Sequence, residues 1–288
     1  MKIRYYSLIV LLVMSVLAPM QAQTYDKMWK ELEVLEQKDL PQSVISEAMK
    51  IYDKAKAEQN VPQMMKAYLT AMQYRSLLMP DSLKVDMKGL EQWASQTGSV
   101  EDKAILYSIL GEMTMTDNIK KGFDYLQLSL KDKDKLLLVP VEKFKPMVKV
   151  GEASKRYFRD NLYNLLAHRA IQIMQQYRWQ AASKANQTNS LPADMTDMDR
   201  FVTYQFVPVS DCDLTAAVMQ TYQSLLKAYD TETEREGWLL TGIDALNYLY
   251  RHFSGNFSND VCQQELRKWM HTYPAVKTVP EAYLALAQ

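Results

Sequence analysis

Apolar residues recur at helical spacing along almost the whole chain, interrupted at intervals by a capping residue or a proline. Tyr25, Met28, Trp29, Leu32 and Leu35 form the first stripe, which stops near Asp39 ahead of Pro41. Val44, Ile45, Ala48, Ile51, Tyr52 and Ala55 form the second. Asn60 with Gln63 has the arrangement of a capping box and opens a third helix carrying Met64, Met65, Tyr68, Leu69 and Met72, ended by Pro80. Asp81 starts a fourth, expected to bury Leu83, Met87, Leu90 and Ala94 and to stop at Gly98. Ser99 with Asp102 restarts the pattern through Ile105, Leu106, Ile109, Leu110 and Met113, and a further helix after Asp117 carries Ile119, Phe123, Leu126 and Leu130. Short links between helices of this length predict antiparallel hairpins stacked side by side. Ala55, Ala67 and Ala71 fall near the small-residue positions of the tetratricopeptide repeat, but Trp, Gly and Pro miss the expected offsets and no second copy aligns. The expectation is an all-α fold of degenerate tetratricopeptide-like packing, with ordinary helix contact as the plainer account of those alanines.

Pro140 and Pro146 break the helical period over 136–153, which reads as a loop or short extended segment. A long helix is expected from Ser154 to Ala185, with Tyr157, Phe158, Leu162, Leu165, Leu166, Ile173 and Tyr177 on one face. Residues 186–210 are rich in Asn, Thr, Asp and Pro and are the best linker candidate, separating an N-terminal helical subdomain, 23–185, from a C-terminal one, 211–288. The second part opens on Ser210 and Asp213 as a capping box, followed by Leu214, Ala217, Val218, Leu225 and Tyr229. Thr233 and Glu236 cap a helix with Trp238, Leu246, Leu249, Tyr250 and Phe253, stopped by Gly255. Val261, Cys262, Leu266, Trp269 and Met270 define one more, closed by Pro274. The segment 279–288 begins a helix and ends without a stop signal, as in a truncated chain or a final helix docked on the last hairpin.

Composition narrows the classes. The chain has 288 residues with only 8 glycines, under half of the usual ~7%, while Leu, Met, Ala, Lys and Glu favour helix over sheet. Lys plus Arg equals Asp plus Glu at 34 each, leaving no positive excess for nucleic-acid phosphates. Residues 1–22 place Lys2 and Arg4 ahead of an apolar run from Leu8 to Ala18, with Ala22 at a cleavage point. That is the pattern of a cleaved signal peptide, and implies export to the periplasm or cell surface. Gln23, not Cys, would head the mature chain, so no lipid anchor is expected. The apolar run is shorter than the ~20 residues of a membrane span.

Candidate chemistry is sparse. Cys212 and Cys262 could pair in an oxidising compartment or pack as two buried free thiols. His168, His252 and His271 lack metal-site spacing; His252 and His271 lie near helix C-termini, where the dipole favours an imidazolium. No nucleophile elbow, phosphate loop or dinucleotide fingerprint occurs, so no catalytic, cofactor-binding or metal-ligating residue is assigned and no small-molecule substrate is evident. Glu31, Glu33 and Glu36 read as a solvated helix face, and Met64, Met65, Tyr68 and Met72 as core or, if exposed, a partner groove.

Two strings, WKELEVLEQKDLPQSVISEAMKIYDKAKAEQNVPQMMKAYLTAMQYR at 29–75 and LLLVPVEKFKPMVKVGEASKRYFRDNLYNLLAHRAI at 136–171, resemble the N-terminal helical region of the very large secreted alpha-2-macroglobulin-like proteins of Bacteroidota. The resemblance implies a non-catalytic docking or scaffolding module whose partners are downstream macroglobulin domains of a protease-trapping protein. Some members carry a thioester built from Cys-Gly-Glu-Gln. Here Cys212 is followed by Asp-Leu-Thr and Cys262 by Gln-Gln-Glu, so no thioester forms, and neither bait region nor β-sandwich is present. The alternative is a stand-alone exported helical-repeat adaptor for a peptide or envelope protein.

Overall fold

The first apolar stripe, from Tyr25 on, is helical. The computed structural model describes residues 25–148, 160–181, 193–229, 234–253 and 259–274. The leader at 1–22, the segment at 279–288, Thr233 and Gly255 lie outside them. Helix α1 spans 25–37. It is followed by α2 (Pro41–Ala57), α3 (Val61–Leu78), α4 (Ser82–Gln96), α5 (Val100–Met115) and α6 (Ile119–Leu130). A single turn, α7 (Lys133–Leu136), and a 3-10 helix, Val141–Phe144, precede α8 (Leu162–Ala181). The chain continues through α9 (Met198–Thr203), α10 (Leu214–Ala228), α11 (Arg235–His252) and α12 (Asn259–Thr272). The described residues contain no strand, and the protein is all-α as expected; an isolated antiparallel bridge joins Pro140 to Asn161.

The chain divides into two compact units inside α4: residues up to Gly89 with Phe144–Val148, and the remainder from Leu90. In the first unit, α1 and α2 each end on a left-handed residue, Asp39 (φ 52) and Gln59 (φ 55). The following amides, Leu40 and Asn60, donate back to the carbonyls of Leu35 and Ala55, which is the Schellman arrangement that satisfies the last carbonyls of a helix. Proline then restarts each helix in its first turn. Tyr25 and Leu32 of α1 join Val44, Ala48, Ile51 and Ala55 of α2 and Ala67 and Ala71 of α3 in one core cluster. All four of its alanines are without exposed surface, so α2 and α3 meet at small side chains. Trp29 donates its indole N–H to Gln63 at 2.7 Å and Tyr74 donates to Glu36 at 3.1 Å, so α1 and α3 run in the same direction. Asn60 caps α3 through the Gln63 amide as expected, but the Gln63 side chain accepts from Trp29 rather than closing a capping box.

The fourth helix departs from its predicted face. Leu90 and Ala94 are buried, yet Leu83 is 37% exposed and Asp86 is buried. Arg75 grips Asp86 through Nη2 at 2.7 Å and Nε at 3.1 Å, a bidentate pair strong enough to hold the carboxylate inside. Gly98 follows the helix without a positive φ.

In the second unit, Gly111 of α5 and Gly122 of α6 let the two backbones touch: a Cβ on Gly122 would lie 2.8 Å from the Met115 amide nitrogen and 2.9 Å from the Gly111 carbonyl oxygen. Helix α8 packs on α5, α6 and α10. It starts at Leu162, not Ser154, because the Asp160 carbonyl accepts from the Val141 amide, the Leu162 amide donates to the Val139 carbonyl and Asn161 caps the helix through the Asn164 amide; 154–159 lie outside the described residues. Within the segment read as a linker, Met195, Met198 and Phe201 are fully buried and the Phe201 and Phe206 rings lie 5.5 Å apart. Gln223 fastens this stretch to α10 by donating to the carbonyls of Phe201 and Tyr204. Its polar composition conceals an apolar stripe just long enough for one short helix. Asp213 itself caps α10, accepting from Ala216 and Val209, which replaces the expected Ser210–Asp213 box.

Two substitutions test this packing. Gly122→Ala should destabilise by about 1–3 kcal/mol, because two of the three obstructing atoms are backbone. Gln59→Gly should stabilise by ~0.5–1 kcal/mol by removing a side chain from the left-handed region. Denaturant unfolding of each variant beside the wild type reads both.

Candidate functional site

Each residue singled out from the sequence has a definite place. Met65 and Met72 are buried, whereas Met64 and Tyr68 are half-buried, so that stripe is core. Glu31, Glu33 and Glu36 are exposed. Cys212 is half-buried and Cys262 buried, and both are free thiols; burial pushes both thiols up from their ordinary range. His271 is exposed in the last turn of α12. Among the described residues no group of His, Cys, Asp and Glu could hold a metal ion, and no helix is long and apolar enough to cross a membrane.

Two surfaces stand apart from this background. The first is apolar and lies at one end of the first unit. Leu77 (68% exposed), Leu78 and Met79 end α3, while Leu83 and Val85 (73% exposed) begin α4. Val34 and Leu40, at the C-terminal end of α1, are also exposed, and the Tyr74–Glu36 bond places that end beside the end of α3. Exposed aliphatic side chains gathered at one end of a unit are a recognised mark of contact surfaces.

The second is a polar cleft of about 270 Å³ in the second unit. Helix α8 supplies His168, Gln172 and Gln175; α11 supplies Asp244, Asn247, Tyr248, Arg251 and His252. Tyr222 of α10 completes the wall and receives a hydrogen bond from Gln175 at 3.1 Å. His168 is buried with Nε2 3.2 Å from the Tyr229 hydroxyl. The Arg178 guanidinium, also buried, lies 4.3 Å from the centroid of the Trp179 ring and 5.9 Å from that of Tyr248. The Tyr248 hydroxyl is buried near Arg178 and Thr215, yet makes no hydrogen bond of good geometry among the described residues.

His252 overturns the expectation of a dipole-stabilised imidazolium. Burial, reinforced by the charges of Arg178 and Arg251, lowers its pKa from 6.5 to about 4. A helix C-terminus contributes ~0.3–1 kcal/mol toward the cation, too little to offset desolvation beside two guanidinium groups. The cleft thus brings together two of the three histidines, His168 beside the Tyr229 hydroxyl and His252 against the Tyr248 ring.

The spacing that could have revealed the cleft is present in the chain. His168, Gln172 and Gln175 follow one face of α8, and Asp244, Asn247, Tyr248, Arg251 and His252 one face of α11. Polar stripes on amphipathic helices ordinarily face water, so nothing marks these two as facing each other. No protein-family model, curated protein or solved structure matches the chain.

The lowered His252 pKa gives a signed pH dependence. The unfolded state takes up this proton near pH 6.5 and the folded state only near 4, so the histidine's contribution is present above pH 6.5 and lost as the pH falls toward 4. The stability of wild type relative to His252→Gln should therefore decline across that window and stay level above pH 7. The His252 ring resonances in an NMR titration should move with a midpoint near 4.

Proposed function

We propose that this chain is a non-catalytic helical docking module that holds a partner protein on the apolar end of its first unit. The exposure of Leu77, Met79 and Val85 at one helical corner carries this reading, because leaving such side chains in water costs free energy that an apolar partner surface recovers. Tetratricopeptide-like packing is consistent with it. Trp29 and Gln63, which bond across α1 and α3, are separated by 34 residues, and alanines lie between neighbouring helices at full burial. An exported macroglobulin-like protein is the proposed setting. That part rests on the leader pattern and the two strings at 29–75 and 136–171, the first of which falls wholly within the unit bearing the apolar end. In this setting the occupant is a folded downstream domain of the same polypeptide, and in the stand-alone alternative it is a separate envelope protein.

A photo-crosslinking residue at Leu77 or Val85, introduced into the native gene, tests the docking. Irradiation should join these positions to one protein surface outside residues 1–288 of this chain, identified by mass spectrometry, while exposed Lys27 and Asp53 give no product. The Leu77→Asp, Val85→Asp double variant should lose partner binding at least tenfold and keep its circular dichroism. A product joining two copies of this chain, or none from either position, overturns the reading. A blot of the unirradiated cells separates the settings: a band several-fold above 33.4 kDa places the partner in the same polypeptide, and a band near that mass makes it a separate protein.

A further inference from the structure

We propose that the polar cleft between α8, α10 and α11 is a binding site for a single neutral sugar ring, with Trp179 as its stacking platform. The chemistry of the lining selects the ligand. Gln172, Gln175 and Asn247 each offer an amide donor and an amide acceptor, and Asp244 and Arg251 contribute opposite charges to the same wall. A sugar hydroxyl donates and accepts at one oxygen, so it pairs with such a set at every position. A phosphate or carboxylate is negatively charged and mostly accepts, and would meet the Asp244 carboxylate. An apolar ligand would leave the amides desolvated without partners.

Trp179 supplies the apolar contact that a sugar ring also needs. It follows Gln175 by one turn of α8 and is 67% exposed. Its ring stands edge-on to His252 with centroids 6.5 Å apart, while Arg178 covers part of it from behind. The exposed indole thus stands next to His252 of the polar wall, and an indole face suits the C–H face of a pyranose through dispersion and the ring's negative quadrupole. The platform and the amides stand on helices, and Gln175 is fixed by its bond to Tyr222, so little ordering remains to be done on binding. A neutral His252 donates from one ring nitrogen and accepts at the other. The buried Tyr248 hydroxyl, near Arg178 and Thr215, adds a group with the same dual capacity. At about 270 Å³ the cleft falls just under the usual range of ligand sites, about 300–1,000 Å³, which fits one ring rather than a chain of them.

Saturation-transfer NMR of the full chain with the methyl glycosides of glucose, galactose, mannose and N-acetylglucosamine is the direct test, with inorganic phosphate as competitor. At least one glycoside should show saturable transfer that phosphate does not displace. Trp179→Ala and Asn247→Ala should each weaken binding at least tenfold, while Trp179→Phe, which keeps an aromatic face, should stay within about threefold of wild type. Thermal unfolding of each variant establishes that it is folded, and the Phe variant carries the test if the Ala variant is not. Absence of transfer from all four glycosides, binding unchanged in Trp179→Ala, or displacement by phosphate, which would mark an anion site, overturns the proposal.

Discussion

The described part of this protein depends on helices approaching closely enough to bury their apolar stripes against one another. In the first unit the approach is made by alanine: Ala48, Ala55, Ala67 and Ala71 take up the interfaces and leave Tyr25, Leu32 and Ile51 to fill the remaining volume. In the second it is made by glycine, with Gly111 and Gly122 so close that a single methyl on either would meet a neighbouring side chain or backbone. Interiors are packed to crystal density, so a contact of this kind sets the position of the larger side chains around it. Two of the few glycines in the chain are therefore spent on packing rather than on turns, and left-handed turn positions fall instead to Asp39 and Gln59.

Close packing leaves polar groups stranded unless they are matched, and the matching is specific. Asp86 enters the interior of the first unit because Arg75 meets it in bidentate fashion and Tyr68 adds a hydroxyl. Glu265 is buried beside the Trp269 indole, which donates to it at 2.8 Å, and burial raises its carboxyl above the usual range. Arg178 is accommodated by aromatic faces, and His252 by losing its charge. Burial of a charge is tolerated where pairing, ring contact or neutralisation offsets desolvation.

The same economy separates two kinds of surface. The α3–α4 corner exposes aliphatic side chains that no part of the first unit covers, which is the chemistry of protein contact. The cleft between α8, α10 and α11 collects amides, hydroxyls and a neutral imidazole, with the exposed Trp179 indole beside His252, the chemistry on which the proposed sugar site rests. Docking and ligand recognition in one helical chain are compatible, since each surface belongs to a different unit.

The order of the longer helices and most of their boundaries were legible from spacing, because an amphipathic helix declares its buried face in its own sequence and its caps by local bonds, as at Asn60 and Ser99. The resemblance carried by 29–75 and 136–171 also belongs to the sequence alone. What the sequence by itself determined is thus the all-helical class and the residues able to form a core. Tertiary structure decided that Asp86 and not Leu83 enters the interior, that residues 198–203 are a packed helix, that α8 begins at Asn161's cap, and that the polar faces of α8 and α11 share one cleft with a neutral His252. Each of these turns on a partner far away in the chain, and the sequence of one helix carries no record of which face of another will be brought against it.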